Sequence, residues 1–358
     1  MIRVLIVDDS LVVQRLLSRE LAKTPDIQVV GTATDPYVAR ERIAELAPDV
    51  ITLDIEMPRM DGLTFLGKLM QHHPMPVIVV SSLTPEGSET ALRALALGAV
   101  DVVGKPSSQF SIPDVAGRLA NAIPTASVAR VERPTPEKQA ARARPVASAQ
   151  LMTTGRVVGI GASTGGTRAL ESLISGLPAN APAIAIVQHM PPDFTAPFAK
   201  RLNDASALEV REARDGDMMA SGLVLLAPGG KHLSLARSGA HYCVRVHDGD
   251  PVCHHRPSVA VLFQSGAKHA GRNALGLILT GMGNDGAAGL LAMRMRGART
   301  IAQDEATSVV FGMPKVAIDL GAAEVVLPIE RMAEAIVRWG VAPNASLTKW
   351  EQPRDARA

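Results

Sequence analysis

The sequence is poor in aromatic residues, cysteines and net charge, and each shortage excludes a class of protein. Two cysteines among 358 residues, Cys243 and Cys253, argue against a disulfide framework and are typical of a reducing compartment. A net charge of +2 with scattered basic residues gives no electrostatic support for nucleic-acid binding. No apolar run is long enough to cross a bilayer, and Asp8-Asp9 interrupts the first apolar segment too early for a signal peptide. We therefore expect a cytoplasmic protein with no membrane insertion.

A proline-rich segment near the middle divides the chain. With 47% apolar but only 3% aromatic residues, the cores must be aliphatic, which suits buried parallel strands. Residues 124–150 contain four prolines, several arginines and no Leu, Ile, Phe or Met, so burial cannot offset their ordering entropy. We predict a first domain over 1–123, a flexible linker over 124–153, a second domain over 154–345 and a loose tail over 346–358.

Short apolar runs alternate with helical patterns in the first half. The predicted strands are 4–7, 28–33, 50–53, 77–80 and 100–103, and the helical patterns between them are 11–22, 39–46, 63–70 and 89–97. This alternation predicts an α/β domain of the flavodoxin-like (βα)5 type, a parallel sheet covered on both faces. Ligands bind such sheets at the carboxyl ends of the strands.

Polar residues stand at those strand ends. Asp8-Asp9 follows the first strand, Asp54 the third, Ser81 the fourth and Lys105 the fifth. Carboxylates that converge at one edge repel each other unless a cation lies among them, and oxygen ligands suit Mg²⁺. A hydroxyl and an ammonium group are suitable partners for a phosphoryl group. The sequence therefore predicts a Mg²⁺ site beside a phosphoryl site.

These residues give the first half a resemblance to response-regulator receiver domains. The matching motifs are Asp8-Asp9, Asp54 with Met57-Pro58 and Asp61-Gly62, Ser81, and Lys105-Pro106. The resemblance implies that Asp54 is the phosphoacceptor and that Asp9, Asp54 and the carbonyl of Glu56 bind Mg²⁺, with Asp8 assisting. It also implies that Ser81 and Lys105 contact the phosphoryl group. The fifth strand lacks the aromatic switch residue of many receivers.

The second half continues the α/β alternation. Its predicted strands are 157–162, 183–187, 223–227, 275–279 and 325–327. We predict a doubly wound α/β domain with a β-hairpin inserted over 223–246, around Pro228-Gly229-Gly230.

Ser163 lies in the glycine-rich turn Gly159–Gly166, between an apolar run and a helical pattern. At such a turn the hydroxyl is exposed and the free N–H groups of the helix point at a bound group, as a serine nucleophile requires. Two alternatives are a plain tight turn and a dinucleotide site. The second is disfavoured because the glycine spacing is one residue too long and the next strand ends in Gln188-His189 instead of an acid.

His189 and Asp285 each follow a predicted strand, as Ser163 does. If those strands are parallel neighbours, the three side chains meet at one edge, so we predict a Ser-His-Asp triad. Alone, His189 would be an ordinary loop histidine and Asp285 a helix cap. The chain order differs from that of the α/β-hydrolases. Cys253-His254-His255 are adjacent, and adjacent ligands rarely fit one ion, so we predict no metal site there.

The motifs of the second half resemble those of the chemotaxis protein-glutamate methylesterases. They are Gly159–Gly166, Gln188-His189-Met190-Pro191-Pro192, His255-Arg256-Pro257-Ser258-Val259 and Thr280–Gly286. The resemblance implies hydrolysis of γ-glutamyl methyl esters on methyl-accepting chemotaxis receptors and deamidation of receptor glutamines, with no cofactor for ester hydrolysis. It places oxyanion donors at backbone N–H groups near Thr164 and Met282.

The same resemblance implies control by the receiver. A chemotaxis histidine kinase would supply the phosphoryl group, and the unphosphorylated receiver would cover the edge that carries Ser163. The alternative from another class is a non-enzymatic response regulator whose second half only binds a partner.

Overall fold

Two parallel β-sheets, one in each half of the chain, form the cores of the protein. The computed structural model describes residues 1–57, 60–82, 84–105, 111–131 and 155–341. Pro58, Pro106, most of the predicted linker and the predicted tail lie outside the described residues. Within these ranges, no helix combines the length and apolar character needed to span a bilayer.

Strands and helices alternate throughout the first domain. They are β1 (Ile2–Val7), α1 (Leu11–Leu21), β2 (Ile27–Ala33), α2 (Pro36–Leu46), β3 (Val50–Asp54), α3 (Gly62–His72), β4 (Val77–Ser81), α4 (Pro85–Leu97), β5 (Asp101–Gly104) and α5 (Ile112–Ser127). The sheet is parallel in the order β2-β1-β3-β4-β5. The predicted flavodoxin-like fold is confirmed.

Burial and side-chain caps explain where these elements begin and end. All residues of β3 and β4 are buried, as expected for strands covered on both faces. Helix α2 begins at Pro36 because the Asp35 carboxylate accepts the N–H groups of Tyr37 and Val38, and because proline suits the first turn of a helix. The parallel arrangement brings the ends of β1, β3, β4 and β5 to one edge of the sheet.

The second domain is a larger doubly wound sheet. Its elements are β6 (Val157–Ala162), α6 (Gly166–Ser175), β7 (Ala183–Gln188), α7 (Pro192–Asp204), β8 (Glu209–Glu212), β9 (Leu223–Leu226), β10 (His232–Ser238), β11 (His241–His247), α8 (Val259–His269), a 3-10 turn (Gly271–Asn273), β12 (Ala274–Ile278), α9 (Ala287–Met295), β13 (Arg299–Gln303), α10 (Met313–Asp319), β14 (Val325–Leu327) and α11 (Ile329–Val341). The main sheet is parallel in the order β14-β13-β12-β6-β7-β9-β8. Strand order reverses between β6 and β12, and ligands of such sheets bind at that switch point.

The predicted hairpin was misplaced and two strands were missed. Residues 223–226 form β9 of the main sheet, and the antiparallel hairpin is β10–β11. Pro228-Gly229-Gly230 therefore connects the main sheet to the hairpin and does not form the turn of the hairpin. Strands β8 and β13 were not predicted. Each has charged or polar residues at its ends, so its apolar run is too short to be recognised.

The first domain continues beyond the predicted boundary at residue 123 and contacts the second. Helix α5 includes Pro124 and ends at Ser127, because Thr125 and Ala126 are buried there. The predicted linker therefore begins as helix. After the helix, the Arg130 N–H donates to the Val309 carbonyl at 2.9 Å. Helix α4 packs against α7, where Leu92, Leu95 and Phe198 lie in one buried apolar cluster.

Candidate functional site

Ser163 occupies the turn between β6 and α6. Its N–H donates to the Thr280 carbonyl at 3.0 Å, and its carbonyl accepts the Gly166 N–H at 2.7 Å. Gly165 precedes the helix with a φ of 77°, a left-handed conformation that favours glycine. The structure thus places Ser163 at the predicted strand-to-helix turn, and one backbone hydrogen bond ties it to the segment that follows β12.

The approach of that segment requires glycine at position 281. A Cβ on Gly281 would lie 2.6 Å from the Cβ of Ser163 and 2.5 Å from the sulfur of Met313. Atoms cannot remain that close, so one backbone would have to move. Gly281 therefore sets how near Met282 and its N–H can come to Ser163.

We expect Gly281→Ala to lower kcat/KM for the reaction at Ser163 on the order of 10²-fold, the effect of an ångström-scale misplacement of a reacting group. Gly117→Ala is the matched control, since an added Cβ at that helical position meets nothing within 4 Å. Steady-state kinetics of both variants, with thermal melting as a folding check, test the expectation. Equal activity of the two variants would contradict it.

His189 and Asp285 form a direct pair at the same edge of the sheet. Nε2 of His189 lies 2.9 Å from Oδ2 of Asp285. A carboxylate only accepts, so we assign the imidazole proton to Nε2. Nδ1 of His189 is buried and has no hydrogen-bond partner among the described residues. It is left as the acceptor nitrogen, which is what a general base needs.

Asp285 is held by the first turn of helix α8. Its Oδ1 accepts from the Ser258 hydroxyl at 2.8 Å and from the Ala260 N–H at 2.9 Å, while Oδ2 also accepts the Val259 N–H at 2.7 Å. Burial raises the pKa of Asp285, but the hydrogen bond and charge of His189, together with these donors, outweigh burial and leave the pKa lowered. The group is a fixed anion at neutral pH.

Ser163, His189 and Asp285 line one cleft of about 760 Å³, which also contains Thr164 and Met282. Within the described part of the chain no hydrogen bond joins the Ser163 hydroxyl to His189, a looseness common in sites without bound substrate. The N–H groups of Thr164 and Met282 likewise donate no hydrogen bond to any described residue. Each is therefore available to a substrate oxygen.

Several side chains at this site lie in the motifs quoted above, but sequence reasoning gave them no role. Ser258 and the N–H groups after it hold Asp285, and the Gln188 amide donates to the Ser163 carbonyl at 2.9 Å. The His255 ring stacks on the His189 ring. Partial desolvation, followed by the charge of Asp285, raises the pKa of the neighbouring Cys253 thiol, which argues against Cys253 as a nucleophile.

The predicted acidic group assembles at the edge of the first sheet. Ligand oxygens of Asp8, Asp9 and Asp54 all lie within 4.8 Å of one another, and Lys105 Nζ lies 2.7 Å from Asp54 Oδ1. Burial, followed by the charge of Asp54, raises the pKa of Asp8 to about 6 despite a bond from the Ser10 N–H. Mutually repelling carboxylates with hard oxygen atoms fit a divalent cation such as Mg²⁺.

The other predicted members of this group surround it. The Glu56 side chain accepts from the Ser82 hydroxyl at 2.7 Å and lies 3.4 Å from Lys105 Nζ. The buried Ser81 hydroxyl donates to the Gly87 carbonyl at 3.1 Å, which ties it to helix α4. The Ser81 carbonyl accepts the Lys105 N–H at 2.7 Å, whereas its hydroxyl contacts no other member of the group.

The first domain forms one wall of the cleft that holds Ser163. Residues of β5 and α5 line the same cleft as His189, and the Thr125 hydroxyl of α5 donates to the sulfur of Met282. Met282 is one of the two residues predicted to supply an oxyanion donor. A movement of α5 would therefore act directly on Met282.

Comparisons with known proteins match both domains. Residues 158–336 match the family model of the CheB methylesterase, and residues 4–115 match that of the response regulator receiver domain. The chain is 52% identical over 338 residues to protein-glutamate methylesterase/protein-glutamine glutaminase 2 of Syntrophus aciditrophicus, with 94% of this chain and 98% of that protein covered. It is 50% identical over 340 residues to the protein-glutamate methylesterase/protein-glutamine glutaminase of Salmonella typhi, with 94% and 96% covered. The crystal structure of the Thermotoga maritima CheB methylesterase catalytic domain is 40% identical, with a TM-score of 0.50, and the match covers 51% of this chain and 98% of that chain.

Proposed function

This chain belongs to the family of CheB methylesterases that carry an N-terminal response regulator receiver domain, and on that premise we propose that it hydrolyses γ-glutamyl methyl esters on methyl-accepting chemotaxis receptors in the cytoplasm. The observation that carries the proposal is the His189–Asp285 pair, 2.9 Å apart, beside Ser163 at the switch point of the sheet. The same site would deamidate receptor glutamines, because both reactions transfer a glutamyl acyl group to water.

Proton transfer in this mechanism runs through Nδ1 of His189. Ser163 attacks the ester carbonyl while Nδ1 takes the hydroxyl proton, and Asp285 stabilises the imidazolium through Nε2. The same proton then passes to the leaving methoxide, so methanol departs and an acyl-serine forms. Water, deprotonated by His189, attacks the acyl-serine and regenerates Ser163. With a glutamine substrate the leaving group is ammonia.

The oxyanion of each tetrahedral intermediate would be bound by the N–H groups of Thr164 and Met282. Their lack of other partners among the described residues supports this role. General-base catalysis typically contributes ~10²–10⁴-fold and one oxyanion donor ~10²–10³-fold. Together, general-base catalysis and oxyanion binding would distinguish an esterase from a domain that only binds a partner.

Phosphorylation of Asp54 by a chemotaxis histidine kinase would relieve inhibition by the first domain. Asp9, Asp54 and the Glu56 carbonyl, with Asp8 assisting, would hold Mg²⁺, whose chemistry is to neutralise charge on the transferring phosphoryl group. Lys105 and the hydroxyl of Ser81 would then pair with the phosphoryl oxygens. The Thr125–Met282 contact supports inhibition, because it sets α5 against the side chain of a residue predicted to supply an oxyanion donor.

The test is release of methanol from receptor fragments that carry radiolabelled methyl esters, with and without acetyl phosphate and Mg²⁺. We expect slow release by the resting protein and faster release with the phosphodonor. A non-enzymatic response regulator would release none under either condition. Mass spectrometry of glutamine-containing fragments measures deamidation in the same reactions.

Asp54→Asn is expected to abolish the effect of the phosphodonor and to leave the resting rate in place. Couplings between distant sites typically correspond to about 5- to 150-fold in affinity, and a rise of that order should disappear in the variant. Asp26→Asn, on an exposed turn before β2, is the matched control and should respond like the wild type. Activation that persists in Asp54→Asn would place the phosphoacceptor elsewhere.

A further inference from the structure

The ring of His255 lies flat against the ring of His189. The two centroids are 3.7 Å apart and the planes differ by 11°. His255 lies in the loop between β11 and α8, and it lines the same cleft as Ser163. The mechanism described above gives His255 no part in proton transfer.

His189 needs a second constraint beyond Asp285. Among the described residues, its ring makes one hydrogen bond, from Nε2 to Asp285, while Nδ1 makes none. A ring held by a single hydrogen bond can tilt and rotate about that hydrogen bond. Each such rotation changes the direction of the Nδ1 lone pair. A parallel ring at van der Waals distance blocks that motion, because the imidazole cannot leave its plane without a clash.

The loop holds His255 rigidly enough to serve this purpose. The N–H groups of Val252 and His255 each donate to the other residue's carbonyl at 3.0 Å, which closes a tight turn. Cys253 and His254 in that turn have φ values of 51° and 66°, a left-handed conformation that is uncommon for residues other than glycine. Such strain persists where the surrounding structure enforces it, and it is concentrated at functional sites.

His255 also has a charge state compatible with the reaction. Burial, followed by the charge of His189, lowers the pKa of His255 to about 4, although Asp285 acts in the opposite direction. At neutral pH the stacked ring is therefore uncharged. It does not repel the imidazolium that forms on His189.

We propose that His255 is a positioning residue, whose stacked ring holds the imidazole of His189 in the plane that proton transfer from Ser163 requires. The inference rests on the proposed function, because it assumes that His189 is the base. The aromatic face is the part of His255 that acts, and its ring nitrogens are dispensable.

The test compares His255→Ala and His255→Phe in the full-length chain with acetyl phosphate present. We expect His255→Ala to lower kcat about 10- to 100-fold, as misplacement of a catalytic group does, with KM unchanged within about twofold. His255→Phe keeps an aromatic face and should recover kcat to within about threefold of the wild type. His241→Ala, at an exposed position on the hairpin, is the matched control.

Thermal melting separates misfolding from mispositioning. If His255→Ala melts below the assay temperature, His255→Gln replaces it and is expected to show the same loss. A His255→Phe variant as slow as His255→Ala, with an unchanged melting temperature, would show that a ring nitrogen is needed and would overturn the inference. A change in His255→Ala that is confined to KM would also overturn it. Full activity of His255→Ala beside an inactive Ser163→Ala would reject only the role of His255, whereas an active Ser163→Ala would reject the proposed function itself.

Discussion

Ester hydrolysis by Ser163→Ala is expected to fall on the order of 10⁴- to 10⁶-fold in kcat, the range found when a serine hydrolase loses its nucleophile. Alanine removes the attacking oxygen. It breaks no hydrogen bond, because the Ser163 hydroxyl makes none to any described residue. The backbone bonds of Ser163 to Thr280 and Gly166 would remain. We therefore expect KM and the melting temperature to stay close to those of the wild type.

Ser238→Ala provides the matched control, because Ser238 is exposed at the turn of the hairpin. Phosphate incorporation at Asp54 serves as a second readout, since it depends on the first domain and should be normal in both variants. Substantial methanol release by Ser163→Ala would falsify the assignment of the nucleophile. A serine-directed fluorophosphonate should label the wild type and fail to label this variant.

The three candidate catalytic residues could be predicted because each follows a strand of a parallel sheet. β6, β7 and β12 are neighbours, so residues just beyond their carboxyl ends converge whatever the distance along the chain. Glycines at 161 and 165 and the prolines after His189 marked these turns locally. The acidic group of the first domain was predictable for the same reason.

The groups that hold those residues could not be predicted. Ser258 reaches Asp285 across 27 positions, and His255 reaches His189 across 66, with a hairpin of unpredictable placement between β9 and α8. In the sequence, Ser258 reads as a helix cap and His255 as one of two adjacent loop histidines. Only tertiary packing brings the first turn of α8 to the carboxylate.

The end of the first domain was mispredicted for a different reason. Pro124 signals a helix break, since proline lacks an N–H and crowds the preceding turn. Here α5 continues because Thr125 and Ala126 are buried, and burial outweighs local propensity. The proline-rich composition belongs to the chain after this helix, whereas residues 124–127, including Thr125 at the contact with Met282, are helical.

Asp285→Asn is expected to lower kcat about 10⁴-fold, the loss seen when the acid of such a triad becomes an amide. An asparagine that presents its NH₂ group to His189 forces Nε2 to accept, so the proton moves to Nδ1 and the base can no longer take the proton of Ser163. If the amide oxygen faces His189 instead, the NH₂ group opposes the Ala260 N–H. The first orientation leaves the Val259 N–H without its acceptor, at a cost of about 1–3 kcal/mol in the free energy of unfolding. In the second, the Ala260 N–H keeps only its hydrogen bond to the Ser258 hydroxyl at 3.2 Å.

The pH dependence of stability checks the role of charge at this position. Because the folded-state pKa of Asp285 is lowered, its contribution to the free energy of unfolding is complete above the ordinary carboxyl pKa, roughly 3.9, and is lost as pH falls through the folded value. The difference in the free energy of unfolding between wild type and Asp285→Asn should therefore become smaller as the pH falls from neutral to acid. Urea unfolding at several pH values measures it. Asp248→Asn, at a position with 79% of its side chain exposed, should show no such trend. A difference that stays constant with pH would mean that Asp285 stabilises helix α8 through its shape alone, and that His189 is not paired with an anion.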